Sequence, residues 1–235
     1  MAKILMILSA AATVRLIDGS DHPTGFWAEE VAASHRVLSE AGFEVDIATP
    51  GGARPTVDPA SLDERGGVAE ADAADFRRYL DSIEDSLAAP LPVAKVSLDD
   101  YDAVYIPGGH APMTDLAIDA EVGRLLADAA ARDLPIAALC HGLAALLSAT
   151  RPDGTFAFAG KRLTSFSDEE ELQGGLGEAT PYFVEARLRR LGALPEPGPP
   201  WSSTVVVDGT LITGQNSQSS VETAQRLLAM LGDER

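Results

Sequence analysis

The chain contains one cysteine, Cys140, and its neighbours decide whether the thiol is an inert core group or a nucleophile. A lone cysteine forms no internal disulfide, and a zinc site made of thiolates needs several at short spacing, so both structural uses are closed. In PIAALCHGLAALL an apolar run ends at Leu139 and an alanine- and leucine-rich helix begins almost at once. That spacing places Cys140 on a tight strand-to-helix turn, its side chain lifted above a sheet. The helix N-terminus beside it is expected to stabilise a thiolate and lower the thiol pKa. Gly142, two residues on, lets the new helix pack close to its strand.

Three further groups fit this thiol. The turn IPGGHAP (106 to 112) follows another apolar run and offers the Gly108 and Gly109 N–H groups, with His110, at the same edge. The Gly109 and His141 N–H groups together would bind an oxyanion on a carbonyl attacked by Cys140. On a helical wheel Glu30 falls in the arc of Phe26, Ala33, Val37 and Ala41, whereas Glu29 lies nearer Arg36 and Glu40. Glu30 is thus expected to be buried, with a raised pKa suited to proton transfer, and Glu29 solvated. His141 is the adjacent candidate base, and no histidine follows it, the others being His22, His35 and His110. Class I glutamine amidotransferases also carry a cysteine elbow, but their His-x-Glu pair lies far downstream of it, which this chain cannot reproduce. A carboxylate must orient His141, and SFSDEEEL offers Asp168, Glu169, Glu170 and Glu171; spacing does not choose among them.

The elements that must hold these groups alternate. KILMIL (3 to 8), EVDIA (44 to 48), AVYIP (103 to 107) and PIAAL (135 to 139) read as buried parallel strands before turns. Helical spacing covers 24 to 41, 71 to 87 and 118 to 132. A helix near 180 to 191, a loop LPEPGPP (194 to 200), a hairpin over 203 to 213 turning at Asp208-Gly209, and a last helix at 217 to 231 complete the chain. The pattern is α/β: a doubly wound, mainly parallel sheet with helices on both faces, whose sites lie beyond the carboxyl ends of its strands.

With 235 residues, one domain is expected. The 36 acidic against 18 basic residues give a net charge of -18, which repels nucleic-acid backbones and anionic membranes. No apolar run approaches the roughly 18 residues of a membrane-spanning helix. The start, MAKILMILSAAATVRLIDGSD, has strand length and no clean polar exit, so it reads as a strand rather than an export signal, and a cytoplasmic location is expected.

The combination of TGFWAEE, a PGGH turn and ALCHG resembles the DJ-1/PfpI superfamily, in particular its Hsp31-like branch of glutathione-independent glyoxalases, over nearly the whole chain. The resemblance implies a flavodoxin-like, class I glutamine amidotransferase-like fold over 1–235, with an insertion at about 50–100 and a lid-like segment at about 168–200. It also implies a homodimer. It further implies a Cys-His-Glu site in which Cys140 attacks a small 2-oxoaldehyde such as methylglyoxal, giving lactate with no metal and no glutathione. By residue match, Glu30 is the carboxylate that bonds the cysteine and Glu171 ends a motif like FTDxxE. Leu143 stands where the branch commonly has proline, and Ala111 where glycine is common; both are expected to line the pocket. Competing readings are a cysteine hydrolase or deglycase on the same site, and a holding chaperone or oxidant sensor whose Cys140 is oxidised.

Overall fold

The computed structural model describes residues 2–233. Seven strands form the main sheet: β1 (Lys3–Ile7), β2 (Glu44–Thr49), β3 (Leu91–Pro92), β4 (Ala103–Ile106), β5 (Ile136–Leu139), β6 (Val205–Asp208) and β7 (Leu211–Gly214). Their order is β6-β7-β5-β4-β1-β2-β3, parallel throughout except for the β6–β7 hairpin. From β1 the chain winds outward through β2 to the β3 edge, then returns to lay β4 on the other side of β1. The order therefore reverses between β1 and β4, where open α/β sheets open a crevice at their carboxyl edge.

The central strands are continuous apolar runs because both sheet faces are covered. Leu5, Ile7, Val104, Ile106 and Ala138 face one core, shared with α4 (Ala120–Ala131). Ile4, Met6, Tyr105, Ala137 and Leu139 face the other, shared with α1 (Ala28–Glu40) and α7 (Ser220–Asp233). This is the expected flavodoxin-like α/β architecture. Between β2 and β4 the chain forms a small cap of short turns with α2 (Glu70–Ser82) and α3 (Glu84–Ala88). Among the described residues no helix is long and apolar enough to cross a membrane.

Several elements depart from the pattern read in the sequence. The helix expected over 24 to 41 begins only at Ala28, so Phe26 precedes it, and its buried face is Ala28, Glu30, Val31, Ala32, Ser34, His35 and Leu38. Ala33 and Val37 are only half-buried and Ala41 is exposed. The wheel therefore gave the right position for Glu30 from the wrong arc, because α1 packs on both α7 and α2 as well as on the sheet. The segment 71 to 87 is two helices broken at Ile83. Pro92 sits in β3, which as an edge strand tolerates a missing donor. The helix expected near 180 to 191 is α6 (Val184–Arg190), and part of the proline-rich loop also pairs, Leu194–Pro195 with Arg162–Leu163.

The turn after β5 is as tight as expected. Leu139 is extended at φ -142°, and Cys140 switches to φ 57°, a left-handed conformation that a side chain adopts at a cost of roughly 1–3 kcal/mol. The helix that follows, Cys140–Ser148, is a 3₁₀ helix, and it is buried from Cys140 through Leu146. A Cβ at Gly142 would lie 2.5 Å from the Ile106 carbonyl oxygen and 2.7 Å from that of Pro107. A Cβ at Gly108 would lie 2.7 Å from the His141 and Gly142 nitrogens. The elbow and the glycine turn after β4 thus touch backbone to backbone. Gly142→Ala is expected to destabilise the fold by at least about 2 kcal/mol, since neither carbonyl can move aside. Urea unfolding checks this, and a loss under about 0.5 kcal/mol would mean the contact is loose.

Candidate active site

The crevice edge brings together β5, which delivers Cys140 and His141, β4, which delivers Gly108 to His110, and the first turn of α1, which carries Glu30. The fourth contributor is α5 (Asp168–Gly174). Cys140 Sγ lies 3.4 Å from His141 Nδ1, and His141 Nε2 lies 2.6 Å from Glu171 Oε2. His110 Nε2 lies 3.2 Å from the other oxygen, Oε1, of the same carboxylate, which also accepts the Leu176 N–H at 2.6 Å. The His110 and His141 rings lie with centroids 4.0 Å apart, and Phe166 packs on His141 at 4.5 Å and reaches His110 edge-on at 6.4 Å.

The acidic run, ambiguous by spacing, separates by what each side chain meets. Ser167 caps α5 by accepting the Glu170 N–H, while Glu170 Oε2 accepts the Ser167 N–H at 3.0 Å. This capping box fixes the helix register. Glu170 is fully buried, and its Oε1 takes the Trp201 N–H at 2.8 Å and Asn216 Nδ2 at 2.7 Å. Asp168 bonds the Ala186 N–H at 3.2 Å and Glu169 bonds Gln173 at 2.9 Å. Only Glu171 is aimed at His141. The capping role of Ser167 and Glu170 is what the sequence reading leaves out; the Ser-x-x-Glu spacing is the available signal.

Glu30 is buried, and its Oε2 accepts the Gly108 N–H at 2.6 Å. Gly108 therefore serves the carboxyl and is not free to bind an oxyanion, contrary to the sequence expectation. The other oxygen, Oε1, has no hydrogen-bond partner among the described residues. The carboxyl lies against the Cys140 thiol without meeting hydrogen-bond geometry, close enough for each to shift the other. Burial raises Glu30 to about 8, against the pull of the Gly108 N–H. Glu29 is not solvated as expected: it is half-buried, and burial raises it too.

The Cys140 thiol also departs from expectation. Burial, then the Glu30 carboxyl, pushes it well above the usual thiol value, and the N–H groups of His141 and Gly109, which point at the sulfur, only partly offset this. The turn after Cys140 is 3₁₀, so its aligned dipole does not decide the outcome. Burial, and then its neighbour His110, lowers His141, which favours its neutral imidazole. Burial alone would raise Glu171, but its two imidazole partners override it and hold the carboxyl well below the usual range. A neutral thiol thus faces a neutral imidazole in the tautomer that an anionic carboxylate fixes: Nε2–H to Glu171, lone pair on Nδ1 towards sulfur.

Gly109, at φ 91°, has no room for a Cβ against the Gly25 carbonyl, and this holds its N–H beside the sulfur. The His141 N–H is the second backbone donor beside the sulfur. Leu143 and Ala111 are fully buried, Leu143 within the core beneath the sheet, so neither lines a pocket as expected. The three groups His110, His141 and Glu171 also bring three metal-type donor atoms within 4.8 Å of one another.

This chain belongs to the DJ-1/PfpI family, whose model matches residues 23–230. It is 31% identical over 198 residues to glutamine amidotransferase-like class 1 domain-containing protein 1 of Bos taurus, covering 84% of this chain and 85% of that protein. It is 29% identical over 233 residues to glutathione-independent glyoxalase hsp3101 of Schizosaccharomyces pombe, covering 95% and 93%. The solved Francisella tularensis Rapid Encystment Protein 24 KDa superposes with a TM-score of 0.86 at 27% identity, covering 98% of this chain and 99% of that one. A buried Cys140 beside a His141–Glu171 cluster is a cysteine-based catalytic site of the type found in this family.

Raised acids in a folded protein favour low pH. Above about 4.5 the unfolded Glu30 has released its proton while the folded one keeps it up to about 8, so its contribution to stability falls as pH rises across that window. Glu30→Gln removes this loss and keeps an acceptor for the Gly108 N–H. Relative to wild type, the variant is expected to gain on the order of 2 kcal/mol between pH 6.5 and 8.5. Denaturant melts at the two pH values check this; a difference independent of pH would show that Glu30 ionises normally.

Proposed function

We propose that the chain is a glutathione-independent glyoxalase of the Hsp31-like branch, converting methylglyoxal-type 2-oxoaldehydes to 2-hydroxy acids. The carrying observation is the second acid-base group at the sulfur: Glu30, raised to about 8 and with an Oε1 that has no hydrogen-bond partner among the described residues, lies against the thiol in addition to the His141–Glu171 pair. A hydrolase needs one base for thiol and water. Isomerising an oxoaldehyde also needs a group that takes a proton from one carbon and returns it to the next, and a carboxyl near neutral pKa suits that task. The S. pombe relative, similar over 95% of this chain, carries a name with this activity.

In this reading Cys140 Sγ bonds to the aldehyde carbon while His141 Nδ1 accepts the thiol proton. The aldehyde oxygen, held by the Gly109 and His141 N–H groups, takes the proton of the Glu30 carboxyl to give a hemithioacetal and leaves Glu30 as the carboxylate. Glu30, as carboxylate, removes the proton from the former aldehyde carbon, giving an enediol, and returns it to the adjacent carbon. The resulting thioester is cleaved by water, which His141 activates, and the 2-hydroxy acid leaves as the Cys140 thiol re-forms. The sum is one oxoaldehyde and one water to one 2-hydroxy acid, with no redox partner.

Purified protein is expected to convert methylglyoxal to lactate without glutathione. Cys140→Ala abolishes turnover, and Glu171→Gln and Glu30→Gln each lower kcat by roughly 10²–10⁴. No lactate from the wild-type protein would sink the glyoxalase reading. Turnover of amides or glycated amines in its place would favour a hydrolase or deglycase on the same thiol.

A further inference from the structure

The carboxylate of Glu171 is shared by two histidines, whereas orienting a base needs only one. His110 and His141 each meet it through Nε2, at Oε1 and Oε2, at 3.2 and 2.6 Å. We propose that His110, His141 and Glu171 are also the binding site for a zinc-like divalent cation, and that filling it takes His141 out of service as the base.

Two imidazoles and one carboxylate are a donor set that zinc prefers, with bonds of about 2.0–2.2 Å that put ligand atoms roughly 3–3.5 Å apart. The three donor atoms already lie within 4.8 Å of one another, so the cation needs adjustments on the order of an ångström. The two rings are tilted by 39°, and both present Nε2 to the same carboxylate. Glu171 and His141 are buried, at 3% and 2% side-chain exposure, while His110 at 13% reaches solvent and gives the ion an approach. The His110 ring is therefore the element that makes an orienting pair into a three-ligand set.

Occupancy and catalysis exclude each other through one proton. As the base, His141 keeps its proton on Nε2, bonded to Glu171, with the Nδ1 lone pair towards Cys140 Sγ at 3.4 Å. A cation takes the Nε2 lone pair, so the single proton of the neutral ring must sit on Nδ1, against the sulfur, where it can no longer accept one. The proposal does not depend on which substrate the thiol attacks, because binding is read without turnover.

The test uses metal-free protein titrated with Zn²⁺ against a chromophoric chelator, and Co²⁺ for its spectrum. Wild type and Cys140→Ala are each expected to hold one tight equivalent. His110→Gln and Glu171→Gln, near-isosteric and checked for fold by circular dichroism, should bind it at least about tenfold more weakly. The Co²⁺ form should lack sulfur-to-metal charge transfer. A tight equivalent that survives both glutamine variants would assign the ion to surface carboxylates and overturn the proposal. Loss of binding in Cys140→Ala, or a sulfur charge-transfer band, would make Cys140 a ligand and overturn it equally.

Discussion

Two backbone turns in van der Waals contact, one after β4 and one after β5, set the positions of the thiol, of the N–H groups beside it and of Glu30. Gly108 and Gly142 supply that contact by lacking a Cβ, since in each case the added carbon would fall within 2.7 Å of a backbone atom of the opposite turn. Cys140 is bent to φ 57° in the same step, and its strain is held by the buried 3₁₀ helix behind it. From this junction the Gly109 and His141 N–H groups point at the sulfur, and the Gly108 N–H is left to hold Glu30. A side chain at Gly108 or Gly142 would move donor, nucleophile and carboxyl together.

Burial then sets the charges. It drives Glu30 and Cys140 towards their protonated forms and His141 towards its neutral one, leaving Glu171 as the site's anion. The thiol is consequently activated when its proton is taken, in the manner of a hydroxyl nucleophile, rather than stored as a thiolate. Glu171 keeps its aim because α5 is fixed at its start by the Ser167–Glu170 capping box and tied through Glu170 to Trp201 and Asn216. Trp201 itself is held at φ 60°, edge-to-face with Phe166, which in turn packs on His141. The exposed loop around Trp201 is thereby coupled to the imidazole.

Much of this was legible in the chain itself. Apolar runs ending in PGG and CHG located strands and turns, because a strand buried on both faces must be apolar and a turn this tight needs glycine. Glu30 was legible as a carboxylate in an amphipathic helix, although the arc used to find it was wrong, since α1 is packed on more than one side. Four consecutive acids were not separable, because which one meets His141 depends on where α5 starts relative to a strand thirty residues earlier in the chain. The thiol pKa was misjudged for a related reason: local sequence suggests a helix N-terminus, whereas the depth of burial and the charge beside it come from tertiary packing.

The most direct test is a high-resolution crystal structure of the protein soaked with a slowly turned-over 2-oxoaldehyde. A hemithioacetal or thioester on Cys140 Sγ is expected, its oxygen within hydrogen-bond distance of the Gly109 and His141 N–H groups and Glu30 against the adjacent carbon. An adduct whose oxygen points away from both N–H groups, or modification confined to lysine and arginine side chains with Cys140 untouched, would contradict the role given to the two turns.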